Sequence, residues 1–188
     1  SGSVRLFGLP PRSIAARAKL GYLPELSYLH PFLTARETLG YYAGLCGLPR
    51  SVARARTDEL LRMVKLTDVA NRPVGGYSKG MARRVALVAA LIGKPELLIL
   101  DEPTSGLDPV STREVKLLIK ALAENGMTIL MTSHLLADAE DVCDRVMILN
   151  HGKSVAEGRV AELGESLEDF FLAKVGEADE FVLADFLA

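Results

Sequence analysis

A chain of 188 residues with 49% apolar and 24% charged residues, 16 Gly and 9 Pro has the make-up of one globular domain and excludes collagen-like, low-complexity and disordered classes. Its longest apolar run, residues 85–92, is eight residues long, against about 20 for a membrane-spanning helix. A net charge of −2 supplies no basic field, so nucleic acid is not an expected partner.

The charge is unevenly placed. From Glu157 onward there are nine acids and two bases, a local charge of −7, which leaves +5 over residues 1–156. Residues 159–188 read as a helical, acidic and solubilising tail. Cys46 and Cys143 are lone thiols without metal-ligand spacing, and no charged-then-apolar leader opens the sequence. Cytoplasm is the compartment expected from these features.

In chain order, residues 4–7 and 20–23 read as short strands, closed by Gly8 and Pro24. Thr34 with Glu37 three residues on has capping-box spacing and predicts a helix to about Leu45. Ser51 is the candidate cap of a second helix, with Val52, Ala55, Leu60, Leu61 and Val64 mostly on one face up to Lys65. Ser78 can cap a third, in which Met81, Val85, Val88 and Ile92 form a stripe while Arg83 and Arg84 turn away. Successive helices with no strand between them suggest an inserted helical subdomain over residues 33–92.

From residue 93 to 158 strands and helices alternate. Residues 97–100 read as a strand buried on both faces that ends in Asp101 and Glu102. Asp108 and Pro109 open a helix with Val115, Leu118, Ile119 and Leu122 inward, closed by Gly126. A second buried strand over residues 127–132, a helix over 135–142 and a strand over 145–149 turning at His151-Gly152 complete the pattern. The fold class expected is α/β with a largely parallel sheet, whose ligands sit beyond the carboxyl ends of the strands.

Two carboxylates at the end of an apolar strand are costly unless a cation or a proton transfer uses them. Asp101 and Glu102 suit two tasks, one holding Mg2+ and the other orienting or deprotonating an attacking water; the plainer alternative is that they cap the following turn. Ser78, with the N–H groups of Lys79 and Gly80 beside it, makes an anion site from hydroxyl, free amides and helix dipole, or else is only a helix cap. His134 ends a strand, where a lone His is more often a loop residue than a catalyst; His30 and His151 read as loop residues.

Taken together these segments resemble a family. Leu97-Leu98-Ile99-Leu100-Asp101-Glu102 resembles the Walker B motif of ABC ATPases, and Ser105-Gly106-Leu107-Asp108 resembles their D-loop. Thr132-Ser133-His134 resembles the switch histidine, Tyr77-Ser78-Lys79-Gly80-Met81 is similar to the LSGGQ signature, and Gly21-Tyr22-Leu23-Pro24-Glu25 resembles the Q-loop. The order and spacing agree, and the likeness covers essentially the whole chain. Lys79 departs from the usual Gly, and Glu25 stands where the family commonly has Gln.

The resemblance implies a P-loop NTPase-like core with ATP and Mg2+ as its ligands. Glu102 and His134 would be the catalytic pair, and Asp101 and Glu25 would hold Mg2+. Ser78, with Lys79 and Gly80, would bind the γ-phosphate of ATP held by an opposite subunit, and Glu25, Tyr77, Met81, Asp101 and Asp108 would be further cofactor-binding residues. The implied partners are a second ATP-binding subunit and a transmembrane permease, with the chain peripheral on the inner face of the cell membrane. The Tyr-Ser-Lys-Gly-Met and Gly-Tyr-Leu-Pro-Glu variants resemble those of the bacterial export branch. Alternatives are a soluble ABC-type ATPase of DNA repair or translation and a non-catalytic ABC-like interaction domain.

The family's P-loop, GxxxxGK followed by Ser or Thr, has no counterpart here. Gly152-Lys153-Ser154 fails because residue 147 is Met and the segment reads as a hairpin. The expectation is therefore an N-terminal truncation before the Q-loop, with Walker A upstream, and weak or no ATP binding by these 188 residues alone.

Overall fold

A computed structural model describes residues 2–163 and 166–175. The chain divides into two compact units, one ending at His134 and the other beginning at Leu135.

The first unit is built on three parallel strands, β1 (Leu20–Leu23), β2 (Leu97–Asp101) and β3 (Thr128–Thr132), in the order β1-β2-β3. Register sorts their side chains into two rows. Leu23, Leu98 and Leu100 lie on one face and are fully buried. Tyr22, Ile99 and Leu130 pair across the other, where Tyr22 is 53% and Leu130 57% exposed. The expectation of strands buried on both faces is thus corrected: β2 is covered on one face, and β3 is a half-open edge strand. A run of four aliphatic residues does not distinguish these cases, because period-2 burial needs only every second one inside.

Residues 4–7 do not form a strand. Leu6 and Leu9 exchange two backbone hydrogen bonds of 2.9 Å across Phe7 and Gly8, both at positive φ, which is a tight two-residue turn. A single turn, α1 (Ile14–Arg17), precedes β1.

Between β1 and β2 the chain is helical. The expected capping box opens α2 (Ala35–Leu45): Thr34 Oγ1 accepts from the Glu37 N–H at 3.1 Å, and Glu37 Oε2 accepts from the Thr34 N–H at 2.9 Å. The next helix, α3 (Arg50–Met63), is entered from Pro49 rather than capped by Ser51. The ring of Pro49 fixes φ at −57°, which with ψ at 145° already aims the chain into the first turn. Ser78 caps α4 (Lys79–Leu91), accepting from the Met81 N–H at 3.2 Å.

Helix α4 packs so closely on β1 that a Cβ on Gly21 would lie 2.4 Å from the Ala90 carbonyl oxygen. Glycine is required there by the approach of the two backbones. Val85, Leu87, Val88 and Leu91 of α4 are all buried, so the helix is covered almost all round. That overturns the expectation that Arg83 turns away: only 6% of it is exposed.

After β2, Asp108 caps α5 (Pro109–Glu124) by accepting from the N–H groups of Val110 and Ser111, both at 3.0 Å. Val115 and Ile119 are buried as expected, whereas Leu118 and Leu122 are only partly covered.

The second unit comprises α6 (Leu136–Val142), an antiparallel hairpin of β4 (Arg145–Asn150) and β5 (Lys153–Arg159), and α7 (Leu167–Val175). His151 and Gly152 turn the hairpin at φ of 47° and 74°. Lys153 opens β5 and not a helix, so Gly152-Lys153-Ser154 leads from the hairpin turn into a strand. Of the tail expected over residues 159–188, a short 3-10 turn at Val160–Glu162 and α7 are described, and residues 176–188 lie outside the described residues. Among the described residues no helix is long and apolar enough to cross a membrane.

Candidate functional site

The carboxyl ends of β2 and β3 bring four sequence-chosen residues together. Asp101 and Thr132 are register partners, and Thr132 Oγ1 donates to Asp101 Oδ1 at 2.6 Å. The same hydroxyl accepts from the Glu102 N–H at 3.1 Å. Tyr22, on the same sheet face, donates through its hydroxyl to Asp101 Oδ2 at 3.4 Å. Glu102 follows at φ 46°, a left-handed conformation that a non-glycine residue adopts only when its surroundings enforce it.

That twist aims Glu102 at His134. Glu102 Oε2 lies 2.7 Å from His134 Nδ1, with the Glu102 side chain 17% and the His134 side chain 64% exposed. An ionised carboxylate only accepts, so opposite that form of Glu102 the Nδ1–H donates. The arrangement is an acid–imidazole pair beside a second carboxylate, a geometry suited to orienting water; among the described residues no group of three or more metal-ligating side chains comes together.

Ser78, Lys79 and Gly80 form a second cluster at the start of α4. The N–H groups of Lys79 and Gly80, at the first two helical positions, have no carbonyl behind them to bond. Gly80 is buried against the start of α5, and Lys79 Nζ lies over Gly106, whose φ is 63°. Asp108 and Ser111 complete this joint, with Ser111 Oγ donating to Asp108 Oδ2 at 2.6 Å. The bonds from the Ser111 hydroxyl and then from its N–H hold the Asp108 carboxyl below the usual carboxylate range. Arg84 pairs with Glu114 across the same two helices. Of the remaining signature residues, Tyr77 directs its hydroxyl to the Val69 carbonyl at 2.7 Å, and Met81 is partly buried. Burial raises the Tyr77 pKa above its ordinary value.

Glu25, exposed in the loop after β1, is joined to the first cluster through its backbone carbonyl. The joining group is Arg83, which sequence reasoning missed. Burial pushes its pKa down, and the nearby charges of Asp101 and Glu25 push it back up. A signal was available: Leu87 and Ala90 lie one and two turns beyond Arg83 on its own side of α4, so that side is apolar and not solvent-facing.

The chain matches the family described as ABC transporter over residues 1–105. It is 37% identical to the Nod factor export ATP-binding protein I of Burkholderia pseudomallei, over 100% of this chain and 62% of that protein. A solved structure of the ATP-binding subunit of an ABC transporter superimposes with a TM-score of 0.79 at 30% identity, covering 92% of this chain and 76% of that one. An ATP-binding cassette in a dimeric post-hydrolysis state bound to ADP and Pi gives 0.67 at 28% identity, covering 78% and 65%. The chain spans about half to three fifths of the length of the curated relatives it matches. The family model spans more than half of these residues and the solved relatives share their fold, so the chain belongs to the ABC transporter family.

Proposed function

We propose that this chain is part of the ATP-binding subunit of an ABC exporter, in which two such subunits close on ATP and hydrolysis drives a separate membrane permease. The observation that carries the reading is the Glu102–His134 pair beside Asp101 at the ends of adjacent parallel strands. Glu102 takes the role of orienting and deprotonating water, and His134 fixes the Glu102 carboxylate and offers Nε2 to a terminal phosphate.

Asp101 fits a magnesium ion: among the described residues its two oxygens accept from the Thr132 and Tyr22 hydroxyls, which leaves lone pairs for a hard cation, and Glu25, exposed in the loop after β1, would add a further carboxylate. Mg2+ bound there would neutralise phosphate charge as the bond breaks. Ser78, Lys79 and Gly80 bind phosphate oxygens held by the opposite subunit, with Tyr77 and Met81 anchoring the turn and Asp108 joining it to α5. The dimeric ADP-bound and Pi-bound cassette supports this shared site, and the export named for the Burkholderia relative supports the direction of transport.

Tyr28 and Phe32, between β1 and α2, and Tyr41 and Leu45, on α2, stand exposed, close to an open cavity of about 550 Å³ lined by Gly21, Tyr28, Tyr42 and Leu45 among others. An aromatic surface of this kind supports a membrane permease as the second partner, and with it a position of the chain on the inner face of the membrane.

The test is the full-length protein with Glu102→Gln. Turnover should fall by about 100-fold or more while ATP affinity stays within about twofold. An unchanged rate would remove Glu102 from the role given to it.

A further inference from the structure

Arg83 is almost wholly buried, and all its bonds go to uncharged acceptors. Nε donates to the Pro103 carbonyl at 2.9 Å. Nη1 reaches the carbonyls of Pro24 at 2.6 Å and Glu25 at 2.9 Å and the hydroxyl of Ser27 at 2.8 Å. Nη2 donates to the carbonyls of Asp101 and Glu102, both at 2.9 Å. The five N–H donors of a guanidinium thus serve six acceptors, with one hydrogen shared.

Burying a cation without a hydrogen-bonded carboxylate is expensive, and packing alone gives no reason to keep one here. What the guanidinium does is hold together five carbonyl dipoles from two loops that are far apart in the chain and would otherwise repel. One loop, residues 24–27, carries Glu25. The other, residues 101–103, carries Asp101 and Glu102. The rigid, planar fork of Arg sets the distance between them, and a flexible ammonium does not. Arg83 also stands five residues after Ser78 on α4, so the start of that helix and both loops are tied through one side chain.

We infer that Arg83 is a positioning residue for the ATPase site: it locks the Glu25 loop against the Asp101–Glu102 pair, so that the two metal-binding carboxylates keep one separation. This rests on the reading above that Asp101 and Glu25 serve Mg2+ and ATP.

The experiment compares the full-length wild type with Arg83→Met and Arg83→Lys. For each folded variant it measures kcat, ATP affinity in EDTA, the Mg2+ concentration for half-maximal turnover, and Tm. Arg83→Met should raise the Mg2+ requirement about tenfold and lower kcat by about tenfold or more, with metal-free ATP affinity within about twofold. Arg83→Lys, which keeps the charge but loses the fork, should fall between, with a rise of about threefold. A lowered Tm with a wild-type Mg2+ requirement in either folded variant would overturn the inference, and if Arg83→Met does not fold, Arg83→Lys decides it. Were the wild type inert toward ATP, the functional reading would fall by itself. The Arg83 inference would then be decided by amide hydrogen exchange: residues 25–27 and 101–104 loosening together in the variant supports it, and unchanged exchange in either loop overturns it.

Discussion

Gly80 and Ser111 touch so closely that a Cβ on Gly80 would lie 2.0 Å from Ser111 Oγ and 2.5 Å from its Cβ. The start of α4 is therefore seated on the start of α5 with no spare volume, and the Ser111 hydroxyl is already engaged with Asp108. Gly80→Ala should destabilise the protein by about 1–3 kcal/mol through overpacking. Thermal or urea unfolding measures this. Ser111→Gly in the same chain should recover most of the loss, whereas Ser111→Ala should not, because the Ser111 Cβ is itself within the clash distance.

His134 contacts Glu102 through one nitrogen and leaves its side chain largely in solvent. Removing it costs little packing, so His134→Ala should leave Tm within about 2 °C, because surface substitutions usually change stability by no more than about 0.5 kcal/mol. Its effect should fall on chemistry, with kcat reduced by about 100-fold. Steady-state kinetics beside a melting curve separate the two, and a drop in Tm that matched the loss of rate would count against a catalytic role.

Ser78 offers a way to separate helix capping from phosphate binding. Asp is as good an N-cap as Ser, so Ser78→Asp should keep α4 capped, through the Met81 N–H, with a stability change below about 0.5 kcal/mol. The added negative charge should weaken ATP-driven dimerisation by about tenfold or more, since it sits where the opposite subunit's phosphates are proposed to bind. Sedimentation of the full-length protein with and without ATP reads the difference. Dimers of normal affinity would remove Ser78 from the shared site.

How much of this was legible in the sequence depended on whether one residue's role was set by its neighbours in the chain. The capping box at Thr34 and Glu37, the Ser78 and Asp108 caps, and the turn at His151-Gly152 are local devices, and each appears where its residue types predict it. The proximity of Asp101 and Thr132 followed from two strands ending together, though the register that pairs them was not readable. Arg83 failed because a charge at a helical position suggests solvent, while its acceptors come from residues 24–27 and 101–103, outside any periodicity window. Exposure of the face bearing Tyr22 and Leu130 failed for the related reason that an aliphatic run does not say which face a neighbour covers.

Asp108 supplies the pH prediction. Its carboxyl is held below its ordinary value by bonds from Ser111 and Val110, and Glu37 is lowered likewise by the Thr34 N–H and then the Thr34 hydroxyl. A carboxylate whose folded pKa is depressed contributes stability that is full above the unfolded pKa, near about 4, and is lost as pH falls through the folded value. The stability of the wild type relative to Asp108→Asn should therefore be constant from neutral pH to about pH 5 and shrink only in acid below about pH 4. Paired melting curves over that range check the sign; a difference that grew on acidification would contradict it.

Thr132 joins the two carboxylate residues, donating to Asp101 Oδ1 and accepting from the Glu102 N–H, while staying exposed itself. Thr132→Val keeps the shape and removes both bonds. Because water reaches this position, the unpaired groups are rehydrated and the stability loss should stay within about 1 kcal/mol. The backbone of Glu102 is another matter: its φ of 46° is held in part by that N–H bond, and its release would let the carboxylate swing from His134. Turnover should fall by about tenfold, and Thr132→Ser, which restores the hydroxyl, should recover most of it. If Thr132→Val turned over at the wild-type rate, the position of Glu102 would have to be set by His134 alone.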